Sequence, residues 1–336
     1  MNPFIRPDCS NEAFALALGL AFAPAAQIGE IAVVDAANDS LFVQGNFSEP
    51  LTTFAVGGWH KQDLAAELNF LAPAVPVSPR FEYAAWTNAD QFQVDDDDRR
   101  AIGADFKEVR FNSSKVNART YNRGLKIRLD KDQVLNQPNY QQTYVGLLMR
   151  RIQRNALIRV YAALAAAAVN TNRSWSGGGT SVDPDSDVVG SLITSANLSG
   201  LKPNKIVYGD TAWLYRRNGY SLDANQGRWI AAAYTPEQVA ASLMVEGVYV
   251  SKSRYQSSAS AKSETLGALA YLFYQTDSPS VEDPSHIKRF VSNTESGGPV
   301  RVFVQQVTEK LVDIGIEHYE YIATTYATGV RKQTIS

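Results

Sequence analysis

The sequence has one cysteine, Cys9, and three histidines, His60, His286 and His318, in 336 residues. A single thiol excludes an intrachain disulfide framework, and so few imidazoles leave little material for a zinc site. A reducing compartment suits such a chain. An excess of charge of either sign is also lacking. With 32 basic against 34 acidic residues and a net charge of −2, no overall field draws the protein onto nucleic acid or an anionic membrane, so any polyanion contact must be local. Long apolar runs are missing as well. The stretch from Ala13 to Ala26 imitates a targeting signal, but Asp8 and Glu12 sit where a signal peptide carries positive charge. The run also falls short of the ~20 apolar residues of a membrane span, so a cytosolic start and no membrane partner are expected.

Catalytic signatures are equally scarce. Neither Cys9 nor any histidine lies in a nucleophile motif such as Gly-x-Ser-x-Gly. Gly177-Gly178-Gly179 lacks the following Lys and Ser/Thr that would grip phosphates, and no dinucleotide fingerprint occurs. The sequence therefore assigns no catalytic residue, no cofactor and no metal, and an enzyme is not expected. The run Asp95-Asp96-Asp97-Asp98 has neither the alternating spacing nor the glycine of a calcium loop. Because Arg99 and Arg100 follow at once, these six residues read as a solvated turn or an inter-subunit contact, where ion pairs fix register more than they add stability.

What is present is an ordinary folding composition, 45% apolar and 20% charged, in a chain long enough for one large or two ordinary domains. Residues 1 to 72 break into short segments at Asp35–Ser40 and Gly57-Gly58, with no periodic element to close a core. Pro73, Pro76 and Pro79 suit an extended connector. Two β-prone runs, Arg80–Trp86 and Glu108–Tyr121, then predict a hairpin whose connection, about Thr87 to Phe106, exceeds a usual hairpin loop and should project or be ordered by a neighbour.

Val145, Leu148, Ile152, Ala156, Val160 and Leu164 recur at three- and four-residue spacing, which predicts one long helix from about Pro138 to Ala168. It carries Arg150, Arg151, Arg154 and Arg159, with Arg150 and Arg154 one turn apart on one side. These four are candidates for nonspecific phosphate contact, against the plainer reading of a solvated or carboxylate-paired helix face. Beyond a stop at Asn170-Thr171-Asn172, helices are expected over Asp187–Ala196, from Thr211 to Arg217, and after Thr235-Pro236-Glu237-Gln238. Strands are expected at Lys205–Tyr208, Gly247–Val250, Ala268–Tyr274, Val300–Val304 and Leu311–Ala323.

Two segments carry a family resemblance. Lys202-Pro203-Asn204-Lys205-Ile206-Val207-Tyr208-Gly209-Asp210-Thr211-Ala212-Trp213 is similar to a pattern of Pro, short buried strand, small turn and Trp-bearing helix in the major capsid proteins of tailed bacteriophages. Arg99–Phe106 followed by Tyr121–Leu129 resembles their run from extended loop back toward the spine helix. With the order of elements, the resemblance covers most of residues 75 to 325. Residues 1 to 72 match little. Some members crosslink subunits through Lys and Asn side chains, but no motif here carries that chemistry over.

The resemblance implies an α+β fold with an N-terminal arm (1–72), an extended loop hairpin and adjoining strand (73–130), a peripheral domain with a long spine helix (131–170), a mixed α/β axial domain (171–308) and a C-terminal return (309–336). It implies self-assembly through hexamers and pentamers into an icosahedral shell around double-stranded DNA. Expected partners are a portal and a scaffold or maturation protease, and the expected place is the virion capsid, assembled in the host bacterial cytoplasm. A shell of the same fold that encloses protein cargo, an encapsulin nanocompartment, differs in what purified particles contain. A soluble α/β hydrolase, the alternative of another class, would need a convergent nucleophile, base and oxyanion hole.

Overall fold

The computed structural model describes residues 47–59, 63–85, 99–100, 102–103, 105–106, 108, 114–175, 183–221, 230–294 and 297–336. Asp95–Asp98, Gly177–Gly179, His60 and most of the hairpin connection lie outside the described residues. So does the reading of residues 1–46 as an arm.

The patterning before residue 72 expects no core element, yet two helices form there, α1 (Glu49–Trp59) and α2 (Asp63–Leu71). Gly57 and Gly58, read from sequence as a break, fall inside α1. Each glycine costs a helix roughly 1 kcal/mol, but Leu51 and Ala55 of α1 and Leu68 and Leu71 of α2 are buried, and packing outweighs propensity. These residues therefore belong to the packed body.

The proline segment is extended as expected. Strand β1 (Ala74–Pro76) runs parallel to a later strand at a sheet edge, where the missing proline N–H breaks no ladder. Strands β2 (Arg80–Ala85) and β3 (Ser114–Arg119) form the predicted hairpin, pairing from Arg80 opposite Arg119 to Ala85 opposite Ser114. Strand β4 (Tyr121–Asp130) follows.

Helix α3 (Tyr140–Ala167) is the long predicted helix, 28 residues and roughly 42 Å at 1.5 Å per residue. Its six spaced apolar residues are all buried, and the two halves serve different cores. Val145, Leu148 and Ile152 pack with α1 and the first sheet, whereas Ala156, Leu157, Val160 and Leu164 pack with α2 and the second sheet. One rigid rod thus joins both sheets. The helix ends at Ala167, just ahead of the expected stop at Asn170-Thr171-Asn172, and those three residues lie in strand β5 (Val169–Arg173).

Helix α4 (Pro184–Ser199) starts with Asp183 accepting from the Ser186 amide and ends at Gly200 in a left-handed conformation. Then come β6 (Lys205–Gly209), α5 (Asp210–Ser221) and α6 (Pro236–Leu243). Thr235 and Gln238 form the reciprocal capping box that the sequence predicts for α6. Strands β7 (Gly247–Ser251), β8 (Arg254–Gln256), β9 (Lys262–Glu264), β10 (Leu269–Phe273), β11 (Ile287–Ser292), β12 (Val300–Gln306), β13 (Leu311–Thr324) and β14 (Arg331–Ile335) complete the chain.

The first sheet has the order β1-β11-β13-β12, with β4 also paired to β13. The second has the order β5-β14-β10-β6-β7. Along β10, Ala270 and Leu272 face α4 and α6, while Tyr271 and Phe273 face α3, so this strand is covered on both sides. That explains its unbroken apolar run. At the end of β6, Gly209 is required by contact: a Cβ there would lie 1.8 Å from the Gly267 carbonyl oxygen. Gly209→Ala is expected to lower stability by roughly 1–3 kcal/mol through forced backbone shifts, read from urea unfolding. An unchanged midpoint would refute the close approach.

Candidate functional site

The arginines of α3 separate into three environments. Arg150 and Arg154, one turn apart, line an open cleft of about 1090 Å³ whose other wall is the segment from Val248 to Lys262. Arg151 is exposed. Arg159 turns inward and pairs with Glu320 on β13 at 2.5 Å. The four guanidiniums therefore do not form one stripe, and Arg159 is engaged in an internal ion pair.

That pair belongs to a buried ionic node. Glu320 is 1% exposed, with Arg289 at 4.0 Å and His318 at 3.8 Å. Burial pushes the carboxylate up, but His318, Arg159 and Arg289 prevail and hold it down at about 2. Arg289 also donates to the Ala72 carbonyl and the Asn69 side chain, tying α2 to the first sheet. A node so enclosed positions α3 on β13; it is not a surface for ligand.

The hairpin is anchored at one face and open at the other. Phe81 and Tyr83 pack on Phe290 with ring centroids 4.6 and 5.3 Å away. Tyr321 closes this cluster. On the opposite face Arg80, Glu82, Lys115, Asn117 and Arg119 are exposed, as period-two alternation requires. Arg80 and Arg119 stand directly across from each other, a like-charge pair that destabilises an isolated ribbon. Arg119 and Arg123 both lie over the Tyr121 ring, at 5.3 and 6.0 Å. Of the acidic-basic run, only Arg99 and Arg100 are described, both exposed, with Arg100 over Phe106 at 5.1 Å.

The resemblance-bearing segment from Lys202 passes from β6 directly into α5, without the small turn of the expected pattern, and its Trp213 joins a cluster that sequence reasoning missed. Arg216, 1% exposed, makes a bidentate pair with Asp185 at 2.8 and 2.7 Å. Its guanidinium lies 5.1 Å from the rings of both Trp213 and Tyr220. No local signal marks this pair, because Asp185 is 31 residues away in sequence.

The described histidines are structural. His286 is fully buried, with Nδ1 accepting the Tyr274 amide at 3.0 Å, and burial alone pushes its pKa down to about 3. Such a ring has no access to a substrate. Among the described residues no group of His, Cys, Asp and Glu could hold a metal, and no helix is long and apolar enough to cross a membrane.

The mixed α+β fold expected from the resemblance is the one observed, and the solved structures that align with the chain are mainly phage capsid proteins. A phage-related protein from Bordetella bronchiseptica RB50 aligns over 86% of this chain and 97% of its own, with TM-score 0.63 and 18% identity. This chain shares that protein's fold. The capsid of cyanophage P-SCSP1u aligns over 79% of this chain and 86% of its own (TM-score 0.49, 7% identity). A virus-like particle from Pyrococcus furiosus aligns over 85% and 98% (TM-score 0.48, 10% identity). No protein-family profile and no curated protein matches the chain.

Proposed function

We propose that the chain is a non-enzymatic shell subunit, a major capsid protein that assembles through hexamers and pentamers into an icosahedral shell around double-stranded DNA. The observation that carries this reading is the β2-β3 ribbon. Among the described residues it pairs with no third strand, and its outer face bears two opposed arginines. Its connection, Trp86 to Ser113, holds the Asp95–Asp98 run. Its inner face packs on Phe290 and Tyr321, whereas its outer face and strand edges have no partner strand among the described residues, and repeated copies in a closed symmetric assembly supply that partner surface.

In this reading, residues 73–130 carry the clasp between subunits, with Asp95–Asp98, Arg99 and Arg100 in the contact, and 131–170 is the scaffold. Residues 171–308 make the axial domain, 309–336 return to both sheets, and the arm of 1–72 contributes its last part, α1 and α2, to the body. Arg150 and Arg154, with Arg151 beside them, face packaged DNA nonspecifically. A portal and a scaffold or maturation protease are the further partners, and the shell is built in the host bacterial cytoplasm as the virion capsid.

Negative-stain electron microscopy with light scattering on the purified protein tests this. Closed polyhedral shells, or rings of five and six subunits, are expected; a monomer or dimer at high concentration, even with a scaffold supplied, would overturn it. A second prediction concerns the clasp. Arg80→Glu with Arg119→Glu should reduce assembly at least about tenfold while leaving subunit stability within about 0.5 kcal/mol, as for exposed sites. Normal shells from that variant would remove the ribbon from the contact.

A further inference from the structure

We infer that the cleft beside α3 is a phosphate-anion site formed by Arg150, Arg154, Lys252 and Lys262. The inference deepens the DNA contact proposed above and rests on that reading only for the source of the phosphate.

All four cations line one cleft, although they come from different elements. Arg150 and Arg154 descend one side of α3, Lys252 lies in the link between β7 and β8, and Lys262 begins β9 opposite Gln256. Two acidic side chains share the walls, and neither answers these cations. Glu67 is 2% exposed, and one of its carboxylate oxygens accepts hydroxyls from Tyr161 at 2.5 Å, Ser251 at 2.6 Å and Ser253 at 3.4 Å. Glu237 sits in the first turn of α6, where its own backbone amide and the Thr235 hydroxyl hold its carboxylate below the usual range. A fifth cation on the wall, Arg254, is committed to Asp210 at 2.8 Å and Glu264 at 3.5 Å. Among the described residues, no ion pair joins the other four to a carboxylate.

Four uncompensated like charges around one opening repel one another, and a polyanion that bridges them relieves the repulsion. Two arginines one turn apart offer forks that match phosphate oxygens in pairs, and the two lysines add mobile point charges from the other wall. Tyr255, 38% exposed on the same wall, places an aromatic face beside them, a surface on which a base or sugar can rest. With a net charge of only −2 on the whole chain, attraction of this kind is local to the cleft.

The test uses the full-length protein, with inorganic triphosphate titrated by calorimetry and a labelled DNA duplex followed by anisotropy across a salt series. R150Q/R154Q and K252Q/K262Q are each expected to weaken binding at least about tenfold, and R150Q/R154Q to lower the salt slope for the duplex by about 2. Binding of the duplex alone supports the site with a nucleic-acid backbone as its ligand; binding of triphosphate alone supports it with a free polyphosphate. The inference is overturned if the wild type binds neither, if both double variants bind like the wild type, or if a tetra-aspartate peptide binds more tightly than triphosphate. The substituted side chains are exposed or half-buried, so circular dichroism should be unchanged. Imaging the same samples separates the two claims. Shells without phosphate binding refute the site alone, and subunits that bind phosphate but never assemble refute the shell reading alone.

Discussion

Replacing Arg216 with methionine is expected to lower unfolding free energy by about 3–5 kcal/mol, the range found when one partner of a buried ion pair is removed. The guanidinium is 1% exposed and satisfies both oxygens of Asp185, whose own side chain is 16% exposed. Methionine fills most of the volume but leaves that carboxylate without its cation. The damage spreads through neighbours that depend on the same geometry. The Asp185 amide donates to the Tyr220 hydroxyl at 3.1 Å, and that hydroxyl donates to Asp183, the cap of α4, at 2.8 Å. One side chain therefore couples the start of α4 to α5. Changing both partners, Asp185→Leu with Arg216→Met, should restore most of the loss, because the cost lies in the unpaired charge rather than in the absence of a salt bridge. Urea unfolding followed by circular dichroism measures both variants. A single R216M variant within about 1 kcal/mol of the wild type would mean that water reaches Asp185 and the pair is not sealed.

The parts of this fold that were legible in the sequence are those set by local periodicity. The α3 stripe, the β2-β3 hairpin, the Thr235–Gln238 box and the buried run of β6 each announce themselves within a few residues. The parts that were missed are polar segments whose burial no local pattern announces. Strand β11 reads as polar, with Lys288 and Arg289 at its centre, yet both are buried. The Lys288 ammonium is held by the carbonyls of Val281 and Asp283 at 3.1 and 2.6 Å and by the Asp283 carboxylate at 2.8 Å. Strand β14, Arg-Lys-Gln-Thr-Ile, also hides alternate residues Arg331, Gln333 and Ile335, and Gln333 donates to the Asp187 carbonyl and the Ser191 hydroxyl of α4. The candidate site divides likewise. The spacing of Arg150 and Arg154 is readable on one helix, but nothing local sets Arg159 apart from them, because its partner Glu320 lies 161 residues away. Lys252 and Lys262 reach the cleft only because β7, β8 and β9 fold beside α3. A charge motif on one helix gives a direction, whereas the wall opposite is a property of topology.

Lowering the pH from 7 to 5 should cost the fold about 2 kcal/mol through His286 alone. The ring is 0% exposed, and its Nε2 is buried without a hydrogen-bond partner. The Tyr274 amide donates to Nδ1, which fixes the neutral tautomer with the proton on Nε2. Burial holds the folded pKa at about 3, whereas an unfolded histidine titrates near 6.5. Between these values the unfolded chain binds a proton that the folded one refuses. Stability is thus fully present above about pH 6.5 and falls by about 1.4 kcal/mol per unit as pH drops toward 3. The carboxylates Glu320 and Asp313, both held at about 2, act in a lower window. Their contribution is present above the ordinary carboxylate range and is lost only from about pH 4.5 down to 2. Measurements between pH 7 and 5 stay clear of Glu320 and Asp313, but burial pushes Glu67 and Glu246 up from the usual carboxylate range toward this window, so the comparison with His286→Asn is what isolates this histidine. Asparagine keeps an acceptor for the Tyr274 amide, so that variant should be less stable at pH 7 because of the space it leaves, yet lose about 2 kcal/mol less than the wild type between pH 7 and 5. An equal slope in wild type and variant would place the acid sensitivity elsewhere.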